Sequence, residues 1–213
     1  MEPPSPWVTR TLPARAPDTW REALRLLQQG QVIAFPTDTV YGIGVPMDNV
    51  AAVERLYEVK GRPRDLALPL LLAAVGDVER VCRDVPAAAW KLTERFWPGG
   101  LTLVLLRKPD VPDRVTGGRP TVAVRLPDHP VPRELAGQLG MPLASSSANR
   151  SGEPAPIRAE EVLAQLGGHL PLILDGGPCR QAQASTIVDL TADPPVILRE
   201  GPISQAEILA VLK

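Results

Sequence analysis

The chain has 213 residues, of which 44% are hydrophobic and 22% are charged. This size and balance predict one folded domain with a buried core and exclude a chain that is disordered throughout. The formal net charge of −1 excludes a protein held on nucleic acid mainly by phosphate neutralisation, which needs a strong basic excess. No apolar run approaches the ~20 residues of a membrane-spanning helix, and the N-terminus lacks a basic-then-apolar leader, so we expect a cytoplasmic location without membrane contact.

The cysteines and histidines do not indicate a metal centre. Cys82 and Cys179 lie far apart in the chain and lack the spacing of zinc ligands. We expect both to be reduced thiols in or near the core. His129 and His169 are the only histidines of the chain, so few side chains could join a cysteine in a zinc site. We therefore predict no protein-bound metal.

The predicted elements follow a flexible arm rich in proline and arginine, residues 1–17, and fill a single domain over residues 18–213. A first helix is predicted at residues 20–29, with Asp18 or Thr19 as its cap and Gly30 at its end. Further helices are predicted at residues 50–59, 87–97, 131–139, 159–166 and 205–212, the last with a capping box of Ser204 and Glu207. Strands are predicted at residues 32–35, 68–72, 101–106, 121–126, 142–145, 172–175, 186–190 and 196–199. This alternation predicts an α/β sheet, antiparallel in part because its late strands lack helices between them.

A loop rich in hydroxyl groups follows the first predicted strand. Residues 35–44 read FPTDTVYGIG and offer two threonines, an aspartate and two glycines. The carboxyl end of a strand is where α/β sheets usually bind ligands, but a Ser/Thr turn that only joins two elements accounts for the same residues. Both interpretations stay open. The chain has no GxxxxGK[ST] loop, and residues 42–44 lack the third glycine of a dinucleotide fingerprint, so a nucleotide has to be held in another way.

Cations cluster where the second predicted helix ends. Lys60, Arg62 and Arg64 follow one another closely, and Gly61 and Pro63 stiffen the loop that carries them. Cations at this position complement the negative end of the helix dipole, an interaction of about 0.3–1 kcal/mol. A compact ammonium beside a guanidinium fork also suits a polyphosphate. The sequence favours neither interpretation.

Polar groups also end two predicted strands. Arg125 closes an apolar strand, and a guanidinium buried there needs an anion from the protein or from a ligand. His129, just beyond, is expected to shape the start of the next helix. Residues 145–149 read SSSAN and gather many donors. Because the chain has no G-x-S-x-G elbow and its histidines do not suggest a general base, we predict that these serines bind a ligand by hydrogen bonds and do not attack it.

Together these segments resemble the YrdC-like family of threonylcarbamoyl-AMP synthases in its short, single-domain form. The resembling stretches occur in the family's order over residues 30–202: FPTDTVYGIG, YEVKGRP, WPGGLTLVL, VAVRLPDHP, PLASSSANRSGEP, ILDGGP, STIVDL and ILREGP. The resemblance implies an α/β fold with a strongly twisted mixed sheet, helices packed around it and a large concave pocket. It also implies a nucleotidyltransferase that makes L-threonylcarbamoyladenylate and pyrophosphate from L-threonine, bicarbonate and ATP, with Mg²⁺ on the phosphates. The product would pass to a tRNA-modifying transferase complex that forms N6-threonylcarbamoyladenosine.

The resemblance assigns site residues as well. It implies threonine binding by Thr37, Arg125, Ser145 and Ser185, and ATP binding by Lys60, Arg62, Thr121, Ser147, Asn149 and Arg199. Lys60 and Arg62, nearest the phosphates, are also the implied catalytic residues, and catalysis rests on positioning and charge stabilisation. The chain departs from the family pattern at two places. Leu68 precedes Pro69 where the family often has a polar residue, and Ala73 lies in the stretch where some members have a histidine.

Two other functions compete with this interpretation. The first is RNA binding without catalysis, by a concave face with a local basic lining. The net charge of the chain predicts that such binding is weak. A carbamoyl-adenylate module like that of hydrogenase-maturation carbamoyltransferases takes carbamoyl phosphate as its donor, although this chain has no acylphosphatase or zinc-finger segment.

Overall fold

The computed structural model describes residues 7–213 and is built on one ten-stranded sheet of mixed direction. The strands are β1 Arg10–Pro13, β2 Ile33–Phe35, β3 Gly42–Pro46, β4 Leu70–Leu71, β5 Leu101–Leu106, β6 Thr121–Arg125, β7 Leu143–Ser147, β8 Leu172–Asp175, β9 Thr186–Asp189 and β10 Val196–Arg199. They lie in the order β1-β8-β2-β3-β7-β4-β6-β5-β9-β10. The helices are α1 Pro17–Gln28, α2 Val50–Lys60, α3 Val78–Val81, α4 Ala87–Phe96, α5 Asp113–Thr116, α6 Pro130–Leu139, α7 Ala159–Leu166 and α8 Gln205–Leu212, with a 3₁₀ turn at Val75–Asp77.

The predicted fold class is confirmed. Parallel pairs such as β1–β8 and β5–β9 alternate with antiparallel pairs such as β3–β7 and β5–β6, so the sheet is mixed. The capping box of α8 is present, since Ser204 accepts from the N–H of Glu207 and Glu207 accepts from the N–H of Ser204. His129 caps α6 by accepting from the N–H of Val131. Both cysteines are free and buried, as predicted.

The prediction for the N-terminal segment is wrong in its later half. Residues 10–13 form the edge strand β1, paired in parallel with β8, although proline and arginine suggested a loose arm. Helix α1 begins at Pro17 with Ala16 at its cap, and neither Asp18 nor Thr19 caps it. Proline is favoured at a first helical position because its missing N–H would have no partner there. The first six residues of the arm lie outside the described part.

The sequence analysis also overlooked strand β3. Residues 42–46 contain two glycines and a proline, which favour a turn, yet they pair with β2 on one side and β7 on the other. Close packing explains the glycine at position 44, because a Cβ there would lie 2.9 Å from the ring of Phe35. The predicted strand at residues 68–72 shortens to β4, and the strand predicted at residues 142–145 ends two residues later, at Ser147.

Side chains divide between the two faces of the sheet with a period of two. On one face Ile33, Phe35 and Leu143 join a cluster with residues of α1 and α6. On the other face Ala34, Ile43 and Ala144 join a larger cluster with residues of α2, α4 and α7. A buried core therefore lies on each side of the sheet.

Helices α1 and α6 leave part of the first face uncovered. On β5, β6 and β9, the half-exposed residues that face this way are Val104, Leu106, Thr121, Ala123, Ile187 and Asp189. Arg125 and Thr102 lie on the same face, since side chains two positions apart along a strand point the same way. This open half-face, formed by β5, β6 and β9, carries two of the sequence-predicted polar residues, Thr121 and Arg125. No helix among residues 7–213 has the length and apolarity to cross a bilayer.

Candidate functional site

The hydroxyl-rich loop between β2 and β3 is a buried Ser/Thr turn. The Thr37 hydroxyl donates to the carbonyl of Val40 over 2.6 Å and accepts from the N–H of Thr39 over 3.1 Å. Thr37, Asp38 and Thr39 are all buried. The turn interpretation therefore holds, and the turn also presents Asp38 and Thr39 to a neighbouring strand end.

Arg125 is fixed by that turn. Its Nη2 donates to Oδ1 of Asp38 over 2.6 Å, its Nη1 to Oγ1 of Thr39 over 2.7 Å, and its Nε to the carbonyl of Gly99 over 3.0 Å. Burial lowers the pKa of Arg125 and the charge of Asp38 opposes that shift. These bonds take three of the five N–H donors of the guanidinium, so two remain for a ligand carboxylate. The second carboxylate oxygen of Asp38 is buried without a hydrogen-bond partner.

Ser185 lies just before β9 and contacts two side chains of different strands. Its Oγ lies 2.8 Å from Oγ1 of Thr102 and accepts from Nη2 of Arg199 over 3.2 Å. Its carbonyl accepts from Nε of Arg199 over 2.9 Å. Thr186 bonds the following loop by accepting from the N–H groups of Gly201 and Ile203. The exposed Arg199 is thus held against the sheet edge.

Lys60, at the end of α2, is buried among neutral oxygens. Its Nζ donates to the carbonyl and Oδ1 of Asn149 over 3.0 and 2.8 Å, and to the carbonyl and Oγ of Ser147 over 2.7 and 3.2 Å. Four acceptors exceed the three protons of an ammonium group. Burial, and then the charge of Arg62, lower the pKa of Lys60 to about 8. Lys60 therefore ties the end of α2 to the end of β7 and contributes a buried positive charge.

Arg62 and Arg199 bring two further cations to the same region. Arg62 is half-buried and donates to the carbonyls of Leu66 and Ala67. Burial lowers the pKa of Arg62 against the opposing charges of Tyr57 and Asp65, and partial desolvation of the otherwise exposed Arg199, together with the charge of Arg62, lowers the pKa of Arg199. The charge of Arg199 in turn acts on Arg125. Four cations thus lie within electrostatic reach of their neighbours, with Asp38 bound to one of them.

The sheet register locates the remaining predicted residues. Thr121 shares the open half-face with Arg125 but precedes it by four residues, about 13 Å along a strand. Through β4, Arg125 is level with Leu143, so Ser147 lies the same four residues away in the direction of Thr121. Ser145 is buried between these levels and donates to the carbonyl of Ile43 over 2.9 Å. The predicted nucleotide residues Thr121 and Ser147 therefore lie at the same level of the sheet, two strands apart, about 13 Å from the level of Arg125.

Sequence reasoning missed three residues of the site: Asp38, Thr39 and Thr102. Asp38 and Thr39 lie in the quoted loop and could have been found, because a buried strand-end arginine calls for an acid on a neighbouring loop. Thr102 could not have been found from the sequence, because threonine is common in strands and nothing around it in the chain suggests a role.

Comparison with known proteins gives a consistent result. A model of the Sua5_yciO_yrdC family, described as telomere recombination, matches residues 25–201. The chain is 45% identical to the threonylcarbamoyl-AMP synthase of Bacillus subtilis over 192 residues, which are 90% of this chain and 56% of that protein. It is 42% identical to the putative threonylcarbamoyl-AMP synthase of Mycobacterium tuberculosis, over 89% of this chain and 87% of that one.

The fold matches a solved structure with a bound amino acid. The crystal structure of Pyrococcus abyssi Sua5 complexed with L-threonine superposes with a TM-score of 0.91 and 40% identity, over 96% of this chain and 61% of that one. The chain spans little more than half the length of the Bacillus relative and under two thirds of the Pyrococcus chain.

Proposed function

The chain belongs to the Sua5, YciO and YrdC family, and on that premise we propose that it makes L-threonylcarbamoyl-AMP and pyrophosphate from L-threonine, bicarbonate and ATP. The observation that carries the proposal is the convergence of Lys60, Arg62, Arg199 and Arg125 on one region of the sheet. One carboxylate, Asp38, is paired with Arg125. This surplus of positive charge fits a triphosphate beside an amino acid carboxylate. The relatives named as threonylcarbamoyl-AMP synthases support the same assignment.

In the proposed reaction the amino acid binds at the Arg125 end of the open half-face, and ATP extends from there toward Thr121 and Ser147. The two free N–H donors of Arg125 take the threonine carboxylate, near Ser185 and the Thr37 turn. The triphosphate lies near Arg199, which the sheet register places at the level of Arg125, and near Arg62, with Lys60 holding Ser147 and Asn149 in place. The level of Arg125 and that of Thr121 and Ser147 are about 13 Å apart along the strands. An extended ATP therefore spans the two levels, and its α-phosphate reaches the amino acid.

The chemistry follows from this placement. The threonine amine adds to bicarbonate and loses water, which gives a carbamate. An oxygen of that carbamate then attacks the α-phosphorus of ATP, the bond to the β-phosphate oxygen breaks, and pyrophosphate leaves. Lys60, Arg62 and Arg199 stabilise the negative charge that develops on the phosphates. The carbamate itself is the nucleophile, so the serines only bind and orient.

Magnesium enters as part of the Mg–ATP substrate in this proposal. Residues 7–213 contain no group of three or more histidine, cysteine or acidic side chains placed to hold an ion. Asp38, the acid beside Arg125, has one oxygen committed to that pair. In this proposal the phosphates supply the metal ligands, and the cations Arg62 and Arg199 share the remaining phosphate charge.

Pyrophosphate release tests the proposal. Purified protein with Mg–ATP and bicarbonate should release pyrophosphate only when L-threonine is added, and mass spectrometry should find threonylcarbamoyl-AMP. Release that is independent of threonine, or no release, contradicts the assignment. A parallel reaction with carbamoyl phosphate in place of threonine and bicarbonate should stay silent, since turnover there indicates the carbamoyltransferase chemistry. In this proposal the adenylate is the donor for a tRNA-modifying transferase.

RNA binding by the basic lining is tested separately. An RNA affinity that falls steeply as the salt concentration rises would indicate contacts to RNA phosphates.

A further inference from the structure

Two buried hydroxyl groups meet at the junction of the proposed substrate subsites. Oγ1 of Thr102 on β5 lies 2.8 Å from Oγ of Ser185, and the two residues are 2% and 6% exposed. Thr102 is paired with Ile187, and because Leu103 is paired with Val124, Thr102 stands next to Arg125 across the sheet. Thr102 therefore lies between the Ser185–Arg199 contact and the guanidinium of Arg125.

The number of protons and lone pairs limits how this pair can be arranged. A serine hydroxyl has one proton to donate and two lone pairs to accept with, whereas a guanidinium only donates. Nη2 of Arg199 therefore uses one lone pair of Ser185. If Ser185 donates to Thr102, its proton is spent and it can offer a ligand only a lone pair. If Thr102 donates to Ser185, both lone pairs of Ser185 are used and its proton is free.

The ligand decides between the two arrangements. An ionised carboxylate or carbamate oxygen only accepts hydrogen bonds, so it needs the free proton of Ser185. We propose that Thr102 is a positioning residue, which donates to Ser185 and so directs the Ser185 proton to a carboxylate or carbamate oxygen of the bound amino acid. This inference rests on the proposed function, in which Ser185 contacts the amino acid. It gives Thr102 a role in substrate recognition without a contact to the substrate.

The geometry also predicts which substrate is affected. Arg199 is held by the Ser185 carbonyl over 2.9 Å as well as by the hydroxyl over 3.2 Å. Loss of the Thr102 hydroxyl leaves the carbonyl contact in place, so Arg199 keeps its position for ATP. The amino acid loses an oriented donor. The KM for threonine should therefore change much more than the KM for ATP.

The test compares Thr102→Val with Thr102→Ser in the full chain. Valine keeps the shape and removes the hydroxyl, so the hydrogen bond from Ser185 to the charged group of the amino acid is no longer oriented. We expect Thr102→Val to lower kcat/KM for threonine about tenfold or more, with the KM for ATP within about threefold, and Thr102→Ser to restore activity. Thr93→Val is the control, because Thr93 is a buried threonine whose hydroxyl donates to the carbonyl of Trp90 in its own helix.

A double-mutant cycle separates positioning from a general loss of packing. In a Ser185→Ala background the Thr102→Val change should cause no further loss, since Thr102 acts only through Ser185. Losses that multiply, wild-type activity in Thr102→Val, or a Thr102→Ser variant as impaired as Thr102→Val each overturn the inference. If Thr102→Val does not fold, as judged by circular dichroism, Thr102→Ala is measured against the same criteria.

The wild-type protein separates this inference from the proposed function. Absence of threonine-dependent pyrophosphate release by the wild type contradicts the proposed reaction. Calorimetric binding of L-threonine then still tests Thr102, because the inference requires weaker binding in Thr102→Val than in the wild type. Equal affinity, or no threonine binding by either protein, overturns it.

Discussion

The ion pair of Asp38 and Arg125 lets the energetics of the site be measured apart from its chemistry. Nη2 of Arg125 donates to Oδ1 of Asp38 over 2.6 Å, and the two side chains are 8% and 0% exposed. Asp38→Asn keeps the shape of the side chain but leaves the guanidinium buried without an anion. Loss of one partner of a buried pair costs about 3–5 kcal/mol. We expect Asp38→Asn to lower the free energy of unfolding by at least ~3 kcal/mol.

Urea unfolding followed by circular dichroism measures this loss. The matched control is Asp128→Asn, which breaks the ion pair with Arg180. The side chain of Arg180 is 68% exposed and that of Asp128 is 49% exposed. An exposed pair contributes about 0–1 kcal/mol, so the control should stay within that range of the wild type. Losses of similar size in the two variants would refute the argument that burial makes the Asp38 pair costly to break.

A second variant shows whether an unpaired charge is the cause. Asp38→Asn combined with Arg125→Met removes the stranded cation as well as the acid. Apolar replacements of buried ion pairs are often neutral or stabilising, so the double variant should be more stable than Asp38→Asn alone. A double variant that is less stable than Asp38→Asn would mean that the Thr39 and Gly99 contacts of Arg125 matter more than its charge.

Three further predictions concern the other cations and the loop beside them. The pKa of Lys60 is lowered from its ordinary 10.5 to about 8, so the folded protein binds this proton less tightly than the unfolded chain does. The free energy of unfolding should therefore rise as the pH increases from about 8 to 10.5. A Lys60→Met variant, unfolded in urea at several pH values, should lack that rise. Arg62→Ala should lower kcat/KM for ATP about tenfold, if the guanidinium supplies ~1.4 kcal/mol in the transition state, whereas Arg64→Ala, which breaks a surface pair with Glu54, should match the wild type in steady-state kinetics. A Cβ on Gly201 would clash with the backbone oxygen of Ala184, whereas one on Gly76 meets nothing within 4 Å. Gly201→Ala should therefore lower both the thermal midpoint and the ATP affinity, and Gly76→Ala should lower neither.

Most of the fold could be predicted because its elements follow local rules. The strand Leu101–Leu106 and the helices Ala159–Leu166 and Gln205–Leu212 have the predicted bounds, since each has a clear apolar period and a clear start or stop. Strands β1 and β3 were missed because non-local pairing decides them. Residues 42–46 lack side chains of high strand propensity but lie between two strands, and position overrides propensity in such a case.

The site was predictable in its residue types and less so in its contacts. Sequence motifs indicated Lys60, Arg125 and Ser185 as candidate site residues; the structure places Ser185 beside Thr102, level with Arg125, and ties Lys60 to Ser147, four residues further along the sheet. The partners could not be read from the chain. Lys60 bonds to residues 87 and 89 positions away, and Arg125 to residues 86 and 87 positions away. Contacts over such separations depend on the order of strands in the sheet, which periodicity does not encode.

Two cations of the candidate site, Lys60 and Arg62, are satisfied as hydrogen-bond donors but are at most partly compensated as charges, through the Coulombic attraction of Asp65 for Arg62. Lys60 donates to four neutral oxygens and Arg62 to two carbonyls, and neither forms an ion pair with an acid of the protein in these contacts. Hydrogen bonds remove the penalty of an unpaired donor, but burial still disfavours the charge itself, as the lowered pKa of each group indicates. The polyphosphate of the proposed reaction would supply negative charge beside these cations, so its binding would offset part of the free energy that their burial costs the folded chain. The lowered pKa values of Lys60 and Arg62 therefore favour an anion over a neutral ligand beside these two cations.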